Sequence, residues 1–205
     1  MKILELFSGT GSVGTVFKER GYEVISVDIT DKLGHVDIIT DILEWDYKAY
    51  PVGTFDVIWA SPPCRTFSIL RNSHIGRANT TITKEKIESD MITIGLPILR
   101  KAEEIIDYFK PRYWFIENPQ TGRMKNYIDR PFYDVDYCKY GFPYRKRTRI
   151  WTNLLEFNAL KCNYDCDFSI DRKHTVNLGR QSTLRRKDTY KIPEQLTHSI
   201  IDNIV

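Results

Sequence analysis

No apolar run in this chain reaches the roughly 18 residues of a membrane span. Met1-Lys2 leads directly into Ile3-Leu4, without the pattern of a signal peptide. These absences predict a soluble, intracellular protein, cytoplasmic or nuclear. Cysteine is scarce, with only Cys64, Cys138, Cys162 and Cys166. Without secretory features, four cysteines are expected to be thiols or metal ligands, not a disulfide framework. No internal repeat is found, and neither low apolar content nor a heavy excess of one charge is present. With 41% apolar and 28% charged residues among 205, disorder and collagen-like structure are excluded, and one packed domain with at most a small appendage is expected. The net charge of +3 is modest, so its distribution says more than its sum. Lys139 to Arg149 holds five basic residues and no acid, and Arg172 to Lys191 holds seven against Asp188 alone. Such clustering favours a polyanionic partner over an ordinary solvated face.

What is present is a succession of short apolar runs that end in polar or glycine-rich residues. Lys2 to Phe7 reads as a buried strand, followed by Ser8-Gly9-Thr10-Gly11-Ser12 and a helix over Val13 to Glu19. A glycine turn there lets backbone approach a ligand closely, and the first amides of the helix offer it donors. Tyr22 to Val27 reads as a second strand. Asp28 lies just past its end, where doubly wound folds meet ribose hydroxyls. The residues alone thus point to an adenosine-containing ligand, and Gly9, Gly11, Gly14 and Asp28 would suit a dinucleotide equally well. For Gly14 the alternative is a close packing contact without a ligand role. A third short strand, Val36 to Ile39, runs into Asp41-Ile42.

The run from Phe55 to Ala60 is a strand that ends in Ser61-Pro62-Pro63-Cys64. The prolines have no N–H to donate, so the chain must leave the sheet there and present a thiol at the carboxyl edge, where open α/β sheets bind ligands. Taken alone, Cys64 reads equally well as a small hydrophobe at a strand end. Arg65 to Thr83 reads as a long functional loop and Lys84 to Phe109 as a helical stretch kinked or restarted near Pro97. Tyr113 to Ile116 is a fifth strand running into Glu117-Asn118-Pro119, Val135 to Cys138 a sixth, and Arg149 to Asn153 an antiparallel seventh. Residues 154 to 191 lack apolar periodicity. Ile192 to Ile204 then carries Leu196, Ile200, Ile201 and Ile204 on one helical face behind Pro193.

In order and spacing, Phe7-Ser8-Gly9-Thr10-Gly11, Ser61-Pro62-Pro63-Cys64, Glu117-Asn118-Pro119 and Arg147-Thr148-Arg149 resemble the cytosine-C5 DNA methyltransferases over residues 3 to 153. The resemblance returns at the terminal helix and is strongest to the small forms of phages and large viruses, which implies a virus-encoded protein acting in a host cell. It implies a Rossmann-like α/β fold of the class I S-adenosylmethionine-dependent kind, with a mostly parallel seven-stranded sheet. The implied partner is double-stranded DNA with a flipped cytosine. In this reading Cys64 is the nucleophile, Glu117 the N3 partner and Arg149 the O2 donor, with Arg147 on phosphate or near the thiol. The chemistry asks for the same residue types. Carbon 5 of cytosine is too weak a nucleophile until a thiolate adds at carbon 6, and the charge pushed to N3 and O2 needs an acid and a cation. The implied cofactor is S-adenosyl-L-methionine, its methionine part near Phe7, Gly9, Gly11 and Pro62, its ribose at Asp28, and its adenine near Ile29, Asp41 and Ile42.

The chain departs from the family at Arg65, usually glutamine, at Pro119, usually valine, and at Pro143-Tyr144-Arg145-Lys146, where Pro-Gln is usual. The Gly-Asn before the last helix is absent. Two other functions therefore stay open: an RNA cytosine-C5 methyltransferase, and a methyltransferase-like nucleic-acid binder or regulatory subunit without turnover. The expected organisation is a catalytic domain over 1–153, a reduced target-recognition insert over 154–191, and a terminal helix over 192–205 packing back. The insert offers Arg172, Lys173, Arg180, Gln181, Arg185, Arg186 and Lys187, more phosphate partners than base readers. A short target is expected, unless a homodimer or partner subunit supplies readout. Cys162, Cys166 and His174, with Cys138 near, form a candidate structural zinc set. Their spacing also fits incidental thiols in a loop.

Overall fold

The structure, a computed structural model, describes residues 1–176, 178 and 184–205, apart from the side chains of Arg186 and Lys187. Arg180 and Gln181, expected to meet DNA, lie outside the described residues. Seven strands form one sheet: β1 (Lys2–Leu6), β2 (Glu23–Asp28), β3 (Ile38–Ile39), β4 (Val57–Ala60), β5 (Tyr113–Pro119), β6 (Phe132–Asp136) and β7 (Arg147–Thr152). Their order is β3-β2-β1-β4-β5-β7-β6. The first five run parallel, and β7 is antiparallel to both β5 and β6. Leu6 pairs with Ala60, and Ala60 with Ile116. That register brings the residues following these three positions to one edge of the sheet.

Both faces are covered, which is why the central strands read as unbroken apolar runs. On one face Leu4, Ile58, Ile116 and Trp151 pack with Leu99, Ala102, Ile105 and Ile106 of α3 (Leu96–Phe109). On the other, Ile3, Trp59, Phe115 and Ile150 pack with Val13, Val16 and Phe17 of α1 (Ser12–Glu19). The terminal helix α4 (Glu194–Ile204) adds Leu196, Ile200, Ile201 and Ile204 to this second core.

The stretch Lys84 to Phe109 is interrupted, as Pro97 suggested. α2 (Lys84–Asp90) passes through a π turn, Met91–Gly95, into α3. Pro97 has no N–H for the carbonyl four residues back and its ring crowds that turn, so the wider π turn falls just before it. Gly95 has a second use. A Cβ there would lie 2.4 Å from Thr66 Oγ1, so its bare backbone lets the turn after Cys64 seat against the helix.

Two stretches differ from the sequence reading. The sixth strand ends at Asp136, not Cys138, because the Asp136 amide goes to the Leu160 carbonyl of the insert (3.0 Å) and the chain then coils into a 3-10 turn over Tyr137–Tyr140. Among the described residues of 154 to 191, regular structure is confined to a small hairpin, β8 (Ser169–Ile170) with β9 (Lys173–His174), and a 3-10 turn, Arg186–Tyr190. Among the described residues no helix is long and apolar enough to cross a membrane.

Candidate active site

The site grows from the register at the carboxyl edge. After β1, Phe7 takes a positive φ of 58°, unusual for a residue with a side chain, and Gly9 and Gly11 follow at 53° and 66°. The backbone thus curls through three left-handed positions into the first turn of α1. Asp28, at the end of β2, holds the curl: its Oδ2 accepts the Gly9 amide at 2.9 Å and its Oδ1 the Thr30 amide at 3.1 Å.

Glu5 holds the turn from below. Its Oε1 accepts the Gly14 amide at 3.0 Å, so a carboxylate in the buried strand satisfies an amide in the first turn of α1 that has no helical partner. A Cβ on Gly14 would lie 2.4 Å from Glu5 Oε2, which supports the packing reading of that glycine. Sequence reasoning missed Glu5, although a carboxylate inside a buried strand is itself the signal. Its other oxygen has no hydrogen-bond partner, and burial pushes its pKa up to about 7. Between its ordinary value near 4.5 and about 7, the folded chain holds a proton that the unfolded chain has lost. Stability therefore falls as pH rises through this window, by up to about 3 kcal/mol for this group. Urea unfolding of the ligand-free chain at pH 5 and pH 8 should show that fall, and Glu5→Gln should flatten it. An equal fall in the variant would show that Glu5 is already ionised at pH 5.

Cys64 comes from the next strand. Pro62 and Pro63 end β4, and the buried Asn118 Nδ2 donates to the Pro62 carbonyl at 2.8 Å, fixing the loop to β5. Trp59 Nε1 donates to Ser61 Oγ at 2.9 Å. The half-buried Cys64 starts a 3-10 turn, Cys64–Phe67. Glu117, 6% exposed, accepts the Tyr137 hydroxyl at 3.0 Å, and Lys146 Nζ lies 3.8 Å from the same oxygen. Burial first, and then the Glu117 charge, holds the Tyr137 pKa far above its ordinary value. Tyr137 is a neutral donor at any working pH.

One cleft is lined by Glu5, Phe7, Gly9, Asp28, Pro62, Cys64, Glu117, Asn118 and Lys146, with Tyr190 and Ile192 from the segment before α4. Six residues singled out in the sequence are thus brought together. Gly11 belongs to the turn without lining the cleft. Ile29 is 65% exposed and Ile42 is buried in the core, while Asp41 Oδ1 accepts the Leu43 amide at 2.9 Å. None of these three lines the cleft. The two arginines do not either. Glu117 pairs with Ile150 and Asn118 with Arg149, so alternation turns Arg149 to the sheet face opposite Glu117. There it forms a two-point ion pair with Asp134 (2.8 and 2.9 Å) and lies 3.5 Å over the Phe132 ring. Arg147 is exposed and lines a separate concavity with Gln120, Asp134, Arg145 and Lys161. The cation inside the cleft is Lys146, which the sequence reading passed over beside the arginine pair.

A C-5 cytosine-specific DNA methylase profile matches residues 1–121. Over 219 residues the chain is 43% identical to the probable DNA (cytosine-5)-methyltransferase of Frog virus 3 (isolate Goorha), covering 98% of this chain and 99% of that protein. This chain is a C-5 cytosine-specific DNA methylase family member. Among solved structures the methylase fold is similar to the methyltransferase EhMeth of Entamoeba histolytica, with TM-score 0.50 and 17% identity over 79% of this chain and 55% of that one. The methylase spans about half the length of the solved structures it matches. Membership implies S-adenosyl-L-methionine as methyl donor. The cleft fits it: Gly9 lines it without a side chain, and the Asp28 carboxylate lines it as an acceptor for hydroxyl groups.

Proposed function

We propose that this chain transfers a methyl group to carbon 5 of cytosine in double-stranded DNA, with Cys64 adding to carbon 6 of a flipped-out base. The observation that carries the reading is the meeting of Cys64 and Glu117 in the cleft that also holds the glycine curl and Asp28. S-adenosyl-L-methionine, when bound, supplies the methyl as a sulfonium electrophile. Asp28 accepts the ribose hydroxyls through the oxygen lone pairs that Gly9 and Thr30 leave available. Phe7 and Pro62 exclude water beside the methionine part. Cys64 gives its electron pair to carbon 6 and Glu117 holds a proton at N3, so the ring's charge moves to carbon 5. Tyr137 fixes the Glu117 carboxyl for that contact. Carbon 5, now methylated, then loses its proton to a water molecule, the electron pair re-forms the double bond to carbon 6, Cys64 leaves as thiolate and the proton at N3 returns to Glu117.

At O2 the resemblance names Arg149, which must leave Asp134 to reach the ring. Lys146 is already in the cleft and is the cation that supports this role best. Asp28→Ala should weaken S-adenosylmethionine binding by about 1.5–3 kcal/mol, the range for a hydrogen bond to a charged group. Calorimetry checks this, and unchanged affinity would put the cofactor elsewhere.

The deciding assay uses methyl-labelled S-adenosylmethionine with double-stranded DNA, single-stranded DNA, transfer RNA and no substrate in parallel. Label at carbon 5 of duplex cytosine supports the proposal. Label in RNA alone, or in none, removes it. Bisulfite sequencing of a plasmid treated with the purified chain then reads the target. A site of roughly two to four base pairs is expected, since each good base contact discriminates by about 1–3 kcal/mol and the insert has few readers. A need for a second subunit would appear as modification spread over many sequences by the chain alone and confined to one site once the partner is added.

A further inference from the structure

Three of the four cysteines lie outside the cleft and close to one another. Cys138, in the turn after β6, meets Cys162 and Cys166 of the insert and His174 of β9, with all four ligand atoms within 4.8 Å of one another. His174 Nε2 stands 3.5 Å from both the Cys162 and the Cys166 sulfur. For tetrahedral zinc, with bonds of roughly 2.3 Å to sulfur and 2.0–2.1 Å to nitrogen, the sulfur-to-nitrogen edge is about 3.5 Å. From these positions we infer that Cys138, Cys162, Cys166 and His174 bind a structural zinc ion.

Contacts that need no metal bring the insert against the turn after β6. Asp136 accepts the Cys162 amide at 2.8 Å and Arg145 at 3.0 Å. Lys139, next to Cys138, reaches Asp165 at 3.1 Å, next to Cys166. The Tyr140 hydroxyl accepts the Leu160 amide at 3.0 Å. Cys138 and Cys162 are buried, so no water competes strongly there. With three thiolates the zinc complex carries one negative charge, close to the Arg145–Asp136 and Lys139–Asp165 ion pairs. The thiols release their protons to solvent on binding.

The insert needs such a clamp. Leu155 is 91% exposed and Ile170 65%, and the apolar residues the insert does bury, Leu154, Phe157 and Leu160, join the core of the main sheet, so the segment has no core of its own. A closed four-ligand site supplies that rigidity. It also ties β8 and β9, with the exposed Arg172 and Lys173, to the turn that carries Tyr137.

The test begins with the full chain purified under reducing conditions without chelator. Elemental analysis should give one zinc per folded chain, lost in Cys162→Ser and in His174→Ala and retained in Cys64→Ser. Replacement by cobalt should give the visible bands of tetrahedral cobalt with thiolate-to-metal charge transfer. The spectrum of the unsubstituted chain decides the matter even where a variant does not fold. A folded chain without zinc and without the thiolate bands overturns the inference. So does zinc retained in Cys162→Ser, or a Cys162–Cys166 disulfide found by mass spectrometry in the reduced preparation.

Discussion

Cys64→Ser should lower methyl transfer by about three orders of magnitude or more while leaving S-adenosylmethionine affinity within about twofold. The two halves of that result come from different parts of the cleft. In the proposed reading the cofactor is held by the curl from Phe7 to Gly11 and by Asp28, whereas the turn bearing Cys64 is anchored separately, through Asn118 to the Pro62 carbonyl and through Gly95 against Thr66. A serine fits that turn without disturbing either anchor. What it lacks is the nucleophile, because a hydroxyl at neutral pH is far less ionised and less polarisable than a thiol. A duplex carrying 5-fluorocytosine extends the test. The fluorine cannot leave as a proton does, so the wild-type chain should remain joined to the DNA and the serine variant should not. Turnover near the wild-type rate in Cys64→Ser, or covalent capture that survives the substitution, would sink the thiol addition.

Much of the fold was legible because the strands are buried on both faces and announce themselves as apolar runs closed by glycine, proline or acid. The cleft residues were legible for a related reason. Each follows the last apolar residue of a parallel strand, and the pairing of Leu6 with Ala60 and of Ala60 with Ile116 brings those successors together. What the sequence concealed is side-chain direction. Arg147 and Arg149 alternate with Thr148, and nothing in Arg-Thr-Arg tells which face of β7 the arginines take. The antiparallel register with β5 sends Arg149 to Asp134 and leaves Lys146 beside Glu117. Glu5 was hidden differently, inside a run that reads as wholly structural, and only its contact with the α1 amides exposes its task. Cys138, by contrast, was legible beside Cys162, Cys166 and His174, and the turn after β6 is what brings it there.

Glu117→Gln should reduce the single-turnover rate by about 10²–10⁴-fold, the usual worth of a positioned acid. Glutamine has the same shape and can still accept the Tyr137 hydroxyl that now reaches Oε1 at 3.0 Å, so the loss belongs to the proton and not to packing. Without a proton held at N3, charge entering the ring from Cys64 has no neutral resting place, and addition at carbon 6 itself should slow. The covalent capture of 5-fluorocytosine DNA should therefore be slowed in this variant, whereas a residue acting only after methyl transfer would leave capture unchanged. Tyr137→Phe offers the graded comparison. It removes the fixing contact but keeps the carboxyl, so it should cost less than Glu117→Gln. Lys146→Ala removes the neighbouring charge at 3.8 Å and should weaken turnover without abolishing Cys64-dependent capture. Wild-type capture and turnover in Glu117→Gln would show that the acid at N3 is supplied from elsewhere in the cleft.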